Sequence, residues 1–516
     1  MNHTYHGPTS SSPSDQEMDH LPFDQFLSEF KATIKTLFKD RASDPSRVKQ
    51  RDFEPGFLAE VMRHRPLSVA IPSDYGGRGA DPRECIAILE AASYESVLLT
   101  LIFGINMALF IEPLAKYGQH AAKATTFNKF LEQAHMGGLM ITEPDHGSDA
   151  LNMKSHFMQV DTGEYSLKGT KHWQGLTGMA DHWLVAAREM RPDGALNRDL
   201  ALFLTDDNIA EQHIVTTERF NNPGLYPIPY GLNKIEVLLP KTHRLIPDTT
   251  GIKMLMDTLH RSRLQFPGMA LGFLKRAYHE ARHHCEQRMV RGKSLRQYDQ
   301  VEAQLAKMEA AVTVASAMCH WSAENSAITI DLSSQGAMAN TFKAVVSDLM
   351  QDSAQTLMQL LGSKGYHESS LAASAIMDTR PFQIFEGPND MLFTQLSEIL
   401  LKSMSRSKEM NLLQFMRKYE HGCLSAEIIG STIDVTLEKA LPQRKLVLLG
   451  RAMAKIILAH HVIQLGHAGY NAALIDNAIQ SLHEEIACHI HSYSDGRSIK
   501  PTPYHLEDSD WLTMLP

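Results

Sequence analysis

The segment MITEPDHGSDALNM, residues 140–153, carries side chains suited to binding a polar ligand. Thr142 and an acidic residue precede a turn that ends in Gly147, Ser148 and Asp149. Hydroxyls and exposed backbone amides in such a turn can hold a phosphate or the polar edge of a ring. A simple capped loop would have the same composition, because turns favour Ser and Asp. The segment alone therefore only suggests a binding loop.

A second candidate is Glu386, which stands in IFEGPND between an apolar run and a glycine. A carboxylate can act as a general base near neutral pH when burial raises its pKa. By position alone, Glu386 also has the pattern of an acid at a helix N-terminus, where the helix dipole stabilises its charge. The local sequence leaves both interpretations open.

Segments of different periodicity must position these residues. Apolar residues recur at spacings of three and four over about 23–135, which predicts helices. Over about 138–245, short β-branched and aromatic runs alternate with turn residues, which predicts antiparallel strands. Helical patterns return over about 250–402 and again over 404–516. The predicted order is helical, β, helical, with an additional helical region.

The composition bounds the possible partners. A chain of 516 residues with 43% hydrophobic content predicts a multi-domain globular protein. The formal net charge of -9 makes nucleic acid or an anionic membrane surface a poor general partner. Basic and acidic residues after position 404 are closely balanced, which argues against a DNA-binding face there.

The five cysteines are scattered without a CxxC pair, which predicts free thiols and neither a disulfide framework nor a cysteine metal site. The histidine clusters lack a ligand pattern with Cys or acidic partners, so no metal is expected. No apolar run reaches the roughly 18 residues of a membrane span, and the N-terminus lacks a signal-peptide pattern. We therefore predict no integral membrane segment and a cytoplasmic location.

From Tyr165, the segment YSLKGTKHWQGLTGMADHWLVAAR resembles the strand pair that follows the TEP-GSD motif of acyl-CoA dehydrogenases. The family has Gly, Lys and Trp there, then a short loop and Ala-Asp. The matching residues are Gly169, Lys171, Trp173, Ala180 and Asp181. The resemblance continues upstream in IPSDYGGRGAD and downstream in QLLGSKGY and IFEGPNDM, and covers about 23–402. The sequence is thus identified as a member of that family.

The resemblance implies FAD, bound where the helical domains meet the β domain and often across a subunit interface. Thr142 and Ser148 match residues that contact the flavin and its pyrophosphate. Trp173 matches the tryptophan beside the flavin ring, although a tryptophan is also a common core residue.

The same resemblance also implies which residues contact the adenosine end of FAD. Arg288 matches an arginine that reaches the FAD of a neighbouring subunit, and its alternative is a surface charge on a helix. Gln359 and Gly362 match a loop that contacts the adenosine, and their alternative is a helix end marked by glycine.

Glu386 occupies the position of the family's base. The implied reaction removes a proton beside a thioester carbonyl while a hydride passes from the β-carbon to flavin N5. A minority of the family carries its base one residue before an arginine that matches Arg263. Here that residue is Ser262, which cannot act as a carboxylate base. Arg263 is expected to stabilise the acidic loop or tune the charge of the site, and its alternative is an ordinary ion pair.

The sequence departs from the family pattern at two contacts with the flavin. Where the family has Thr or Ser beside flavin N5, this chain has Gly175, with Thr177 two residues further on. After the base, Gly387 is followed by Pro388, which has no N–H to donate. The contact with flavin N5 is therefore expected either from the backbone of Gly175 or from another part of the site.

The predicted fold class is α+β, acyl-CoA dehydrogenase-like. We expect a disordered tail at 1–20, an N-terminal helical domain at 21–137 and a middle antiparallel β domain at 138–247. A C-terminal helical bundle at 248–403 and a helical extension at 404–516 would complete the chain. The resemblance also implies a homodimer or homotetramer.

The leading functional hypothesis is α,β-desaturation of an acyl-CoA or acyl-carrier-protein thioester, with electrons passed to an electron-transfer flavoprotein. The first alternative is an acyl-thioester oxidase that uses O₂ with the same base. The second is a non-catalytic relative that binds FAD, which Gly175 and Pro388 keep open.

Overall fold

The computed structural model describes residues 21–43, 53, 56–495, 500, 511 and 514. The predicted tail at 1–20 lies outside these residues. Within them, helices precede and follow a central sheet, and further helices end the chain. This arrangement confirms the predicted α+β fold with an additional C-terminal helical region.

The N-terminal helices form an apolar layer beside the sheet. They are α1 (Phe23–Ser43), α2 (Phe57–Met62), α3 (Pro82–Glu95), α4 (Val97–Asn106), α5 (Glu112–Tyr117) and α6 (His120–Gln133). Helix α3 begins where the Asp81 side chain accepts the Arg83 N–H, and α4 begins where Ser96 accepts the Leu99 N–H. A π-helical turn, Met107–Ile111, connects α4 to α5.

The central sheet has seven strands. They are β1 (Gly137–Met140), β2 (His156–Gln159), β3 (Tyr165–Gly175), β4 (His182–Met190), β5 (Leu196–Asp206), β6 (Val215–Arg219) and β7 (Tyr230–Leu239). The order is β1-β4-β2-β3-β7-β6, and β5 pairs with β4. Most pairs are antiparallel, as predicted, but β4 runs parallel to both β1 and β2.

A helical bundle follows the sheet. Its helices are α7 (Gly251–Gln287), α8 (Asp299–Asn325), α9 (Gly336–Leu361), α10 (Leu371–Thr379) and α11 (Asn389–Ser407). The hairpin of β8 (Met289–Val290) and β9 (Lys293–Ser294) lies between α7 and α8. Most of α7 up to Leu274 is buried, so this helix lies at the centre of the molecule.

The extension contains α12 (Leu412–Met416), α13 (Cys423–Ile429), α14 (Gln443–His467) and α15 (Ala472–Ser494). Helix α14 packs on α11, where Ser397 Oγ donates to Leu446 O at 2.6 Å. Arg451 of α14 pairs with Asp348 at 3.0 Å and with Asp390 at 2.9 Å. The extension therefore continues the helical core of the bundle.

Two helical segments are long and apolar enough to cross a membrane by length and composition: Val97–Tyr117 and Gln443–His467. Within the protein, however, 83% and 78% of their apolar windows are buried, as core helices also are. The expectations of no membrane segment and of a cytoplasmic location stay predictions.

Candidate active site

Glu386 lies in a tight turn between α10 and α11. Its φ is 54° and that of Gly387 is 100°, so two successive residues adopt left-handed backbone conformations. For a glutamate this conformation costs on the order of 1–2 kcal/mol. Such strain persists only where the surrounding structure holds the backbone, and it is concentrated at functional sites.

The two carboxyl oxygens of Glu386 have different surroundings. Ser262 Oγ donates a hydrogen bond to Oε1 at 2.7 Å. Oε2 is inaccessible to solvent and has no hydrogen-bond partner in the described part of the chain. Burial raises the pKa of Glu386, while the Ser262 hydrogen bond and the charges of Arg263 and Lys343 oppose this rise. One oxygen is thus anchored and the other is free to take a proton.

Arg263 holds the backbone of the turn and not the carboxylate. Its Nε and Nη2 donate to Glu386 O at 3.1 and 2.8 Å, and its Nη1 donates to Asn340 Oδ1 at 2.7 Å. Burial lowers the pKa of Arg263. The contacts described for this arginine are thus hydrogen bonds to neutral oxygens, unlike those of the ordinary ion pair considered above.

Lys343 of α9 contacts the same turn from another side. Its ammonium donates to Gly387 O at 2.7 Å and to Asn389 Oδ1 at 3.0 Å. The lysine is fully buried, and burial lowers its pKa to about 7. Two buried cations therefore surround the turn that carries Glu386.

Trp173 lies at a bulge in β3. The register between β3 and β7 shifts between His172 and Gln174, and Trp173 has a φ of 64°. A bulge of this kind re-aims a side chain out of the regular strand pattern. The indole is 52% exposed, and its nearest aromatic neighbour is Phe220, with ring centroids 4.6 Å apart. The core-residue alternative is therefore wrong for Trp173.

The space beside Gly175 is already filled. A Cβ atom there would lie 3.0 Å from Ile105 Cδ1 and 3.4 Å from Tyr230 Cε1. Thr177, the other candidate, is fully buried and donates to Gln174 O at 2.7 Å. Neither residue presents a free side-chain hydroxyl, so any contact near Gly175 uses its backbone.

The turn after Thr142 is open at its surface. Ser148 is exposed, and a Cβ at Gly147 would meet nothing within 4 Å. The neighbouring Glu143 is instead committed to structure, because it accepts from the Lys154 and Ser155 amides at 2.6 and 2.8 Å.

Glu143 also pairs with buried Lys171 at 3.1 Å. Burial lowers the pKa of Lys171 to about 8.

Arg288, Gln359 and Gly362 form a second group, away from Glu386. Arg288 caps the C-terminal end of α7, about 25 residues and hence about 37 Å along the helix from Arg263. Gln359 and Gly362 lie exposed at the C-terminal end of α9, and Gly362 has a φ of 61° with open space around its Cα. Burial lowers the pKa of His284, and the charges of nearby Lys364 and Arg288 lower it further. The C-terminal ends of α7 and α9 are therefore neighbours.

The residues around Trp173 fit an FAD ring and its polar chain. The exposed indole offers an aromatic surface, and the open turn at 147–149 offers backbone amides and hydroxyls. Gln174 Oε1 is buried without a described partner, although Gln174 Nε2 donates to Thr142 O at 3.1 Å. Such an orphaned polar atom is typical of a site that a ligand completes.

Two residues that contact the Glu386 turn are not predicted from the sequence. Ser262 is unsuitable as a base, but it is a hydrogen-bond donor to Glu386. Lys343 is a lysine in the otherwise largely apolar segment ANTFKAVV. A charged residue within an apolar helical run was the available signal, because such a residue is rarely buried without a partner.

Among the described residues, no group of three or more His, Cys, Asp or Glu side chains could hold a metal ion. His460 and His461 are buried in α14, and each has one ring nitrogen with a hydrogen-bonding neighbour. Burial lowers their pKa values to about 4 and about 3.

Three family descriptions match consecutive parts of the chain. "Acyl-CoA dehydrogenase, N-terminal domain" matches residues 25–134, the middle domain matches 138–229 and the C-terminal domain matches 249–401. An acyl-CoA dehydrogenase of Bacillus subtilis is 24% identical over 358 residues, which are 68% of this chain and 91% of that protein. A short-chain-specific acyl-CoA dehydrogenase of Megasphaera elsdenii is 26% identical over 69% of this chain and 93% of that protein.

Solved structures share the fold. The FAD complex of an acyl-CoA dehydrogenase from Bacillus anthracis matches with a TM-score of 0.72 at 18% identity, over 98% of this chain and 91% of that one. That match includes the extension. A prolyl acyl carrier protein oxidase, AnaB, matches with a TM-score of 0.64 at 17% identity, over 76% of this chain and 100% of that one. With its three matched domains in order, this chain belongs to the acyl-CoA dehydrogenase family.

Proposed function

We propose that this chain desaturates an acyl thioester between its α- and β-carbons, with Glu386 as the base and FAD as the cofactor. The observation that carries the proposal is the buried Oε2 of Glu386, which has no described partner in a site where burial raises the pKa of the carboxyl. A general base for an α-proton needs both a free oxygen and a pKa near the working pH.

The family is FAD-dependent, and the surface around Trp173 supports this cofactor for the present chain. When bound, FAD would supply the acceptor for the hydride of the β-carbon. Trp173, Thr142, Ser148 and the backbone of Gly175 would hold its flavin and pyrophosphate.

Arg288, Gln359 and Gly362 would hold the adenosine end. Because Arg288 lies about 37 Å along α7 from Arg263, we assign this group to the cofactor of a second copy. The protein is then a homodimer, or a homotetramer built from such dimers.

Each residue around Glu386 has a separate task in this proposal. Ser262 fixes Oε1, so the proton of the α-carbon goes to Oε2. Arg263 fixes the backbone carbonyl of the base and so maintains the direction of the side chain. Positioning of this kind reduces the entropic part of the barrier.

The substrate is either acyl-CoA or an acyl group on a carrier protein, and the acceptor is either an electron-transfer flavoprotein or O₂. Family membership supports acyl-CoA and the flavoprotein, which family members use. The fold shared with a carrier protein oxidase supports an acyl-carrier-protein substrate and O₂ more weakly, because one fold hosts several reactions.

The test is the substitution Glu386→Gln in the FAD-loaded protein. Without the base, we expect turnover to fall roughly 100- to 10,000-fold, because general base catalysis contributes on that order. Absorbance of the flavin during anaerobic addition of acyl-CoA thioesters of increasing length would report the reaction. The visible spectrum before substrate addition should stay that of the wild type.

Unchanged bleaching in Glu386→Gln would remove Glu386 from its role as the base. A wild-type protein that binds FAD and bleaches with no acyl-CoA or acyl-carrier-protein thioester would instead support the non-catalytic alternative. Rapid reoxidation in air without an electron-transfer flavoprotein would favour the oxidase.

A further inference from the structure

Lys343 is a buried lysine whose described partners are not carboxylates. Its side chain is inaccessible, and its ammonium donates to Gly387 O at 2.7 Å and to Asn389 Oδ1 at 3.0 Å. A buried charge is normally paired, because removing it from water costs several kcal/mol. A lysine buried without a carboxylate partner is therefore expected to stabilise the groups to which it donates.

Lys343 contacts the strained turn that carries Glu386. Glu386 and Gly387 have φ values of 54° and 100°, and the next residue, Pro388, has no N–H to stabilise the turn. Arg263 of α7 binds the carbonyl of Glu386, and Lys343 of α9 binds the carbonyl of Gly387. Two successive carbonyls are thus fixed by buried cations from two helices.

Asn389, the second partner of Lys343, extends this support into α11. Its Nδ2 donates to Ala344 O at 3.0 Å, to Ser347 Oγ at 2.9 Å and to Asp348 Oδ1 at 2.7 Å. The first residue of α11 is therefore attached to α9 both at Lys343 and along the turn of α9 that follows it. A displacement of the ammonium would loosen both ends of the turn.

The charges that act on Lys343 lie on its own helix and on two neighbouring segments. They are Glu386 in the turn, Arg263 on α7 and Asp348 on α9. The positive charge of Lys343 in turn lowers the pKa of Glu386 against the effect of burial.

We propose that Lys343 is a positioning residue for the base: it fixes the Glu386–Gly387 turn, and its ammonium favours the ionised carboxylate. The proposal rests on the proposed function of Glu386 and requires no contact between Lys343 and the substrate.

The experiment compares Lys343→Met, which removes charge and donors, with Lys343→Gln, which removes the charge but keeps N–H donors. In Lys343→Met we expect kcat to fall roughly 10- to 100-fold, since small misplacements of a reacting group are costly. The acid limb of the kcat profile should move up by about one pH unit or more in both variants. Lys343→Gln should recover part of kcat without recovering the acid limb.

The matched control is Lys455→Met, which removes another buried lysine. Lys455 pairs with Glu485 in the extension and has no described contact with the turn. This variant should keep the wild-type pH profile. If Lys343→Gln also keeps both kcat and the acid limb, Lys343 is not a positioning residue.

A second measurement does not depend on turnover. Infrared difference spectra of the FAD-loaded protein across pH would follow the protonated carboxyl band that Glu386→Gln lacks. Its midpoint should rise in Lys343→Gln and in Lys343→Met, and an unchanged midpoint would overturn the charge effect. If the wild type oxidises no thioester, the proposed function fails while this titration still decides the effect of Lys343 on Glu386.

Discussion

At the scale of single residues, the proposed base Glu386 is held by a serine. By the family resemblance, Ser262 matches the position from which a minority of members supply the base, and its hydroxyl donates to Oε1 of Glu386. In the proposed reaction, this position therefore acts as a donor to the base and not as the base itself. Hydrogen bonding to the charged form of an acid lowers its pKa.

The first residue-scale prediction concerns Ser262→Ala. Loss of its hydrogen bond should raise the pKa of Glu386 further, because this hydrogen bond is one of the interactions that lower the pKa against the effect of burial. A base must be ionised to act, so the acid limb of kcat/KM should move to higher pH. Activity near pH 6 should fall roughly 3- to 10-fold, and high-pH activity should change little. A pH-rate profile measures this.

Ser322→Ala is the matched control, because Ser322 is also a buried helical serine but its Oγ has no described partner. A shift of equal size in this control would show that Ser262 acts through general packing.

Sequence reasoning could find Glu386 and Trp173 because each stands in a short motif with a fixed neighbour. It could not find the contacts that Ser262 and Lys343 make with the turn formed by Glu386 and Gly387. Ser262 and Lys343 lie on two helices that are separate in sequence, and only the packing of α7 against α9 brings them to the turn. The exposure of Trp173 likewise follows from a bulge in β3, and the residue types around it do not predict where the bulge lies.

At the scale of elements, the loop between β6 and β7 connects the sheet to the segment that carries Glu386. Phe220 at the start of this loop and Tyr230, the first residue of β7, both neighbour Trp173. The middle of the loop is held on α10, where Asp378 Oδ1 accepts the Leu225 N–H at 2.7 Å. Since α10 ends seven residues before Glu386, this hydrogen bond couples the two sides of the site.

The element-scale prediction concerns Asp378, whose pKa burial raises to about 6 from an ordinary 3.8. The folded protein then retains a proton that the unfolded chain releases, so stability should fall as pH rises from about 4 to about 6. The corresponding free-energy change is about 3 kcal/mol. Denaturant unfolding at several pH values would measure it, and Asp378→Asn should lack this component.

Asp378→Ala separates the hydrogen bond from the ionisation. It leaves the buried Leu225 N–H without an acceptor, which should cost about 1–3 kcal/mol at any pH. An alanine variant as stable as the asparagine variant would mean that the loop does not depend on this contact.

The alternation of residue types predicted a β region over about 138–245, and the seven strands lie between residues 137 and 239. The strands β1 and β6 are hard to predict individually, because they have only four and five residues. Strand β1 contains two glycines, which are weak strand formers, and β6 is mostly exposed. Their pairing depends on β4 and β7, which local sequence does not show.

At the scale of the whole molecule, the extension is a part of the bundle and not an appendage. Helix α14 approaches α11 so closely that a Cβ at Gly450 would collide with the backbone of Phe393. Helix α15 contacts α8, where Asn477 Nδ2 donates to Ala306 O at 3.0 Å. The helix that begins just after Glu386 is thus covered by the extension.

The whole-molecule prediction is that Gly450→Ala destabilises the protein. A methyl group there must displace a backbone, which costs about 1–3 kcal/mol despite the better helix propensity of alanine. Thermal or denaturant unfolding of the FAD-loaded protein would measure the loss.

Gly466→Ala in the same helix is the control, since its Cβ would meet only Ile475 side-chain atoms at 3.3–3.8 Å. It should be neutral or stabilising. Equal losses in both variants would locate the effect in α14 itself and not in its contact with α11.

The family, the fold class and the order of the regions could be predicted because periodicity and several ordered motifs agree over about three quarters of the chain. The predicted FAD agrees with the FAD complex among the solved structures that share this fold. The attachment of the extension could not be predicted, because no motif in it is specific.

The 37 residues of α7 have a further consequence. This one helix carries Ser262 and Arg263 about a third of the way along its length and leads to Arg288 at its end, so it fixes the distance between the two proposed binding places. An inserted residue between Arg263 and Arg288 would move Arg288 by about 1.5 Å along the helix and rotate it by about 100°. The separation of the two places is therefore set by the number of residues between them.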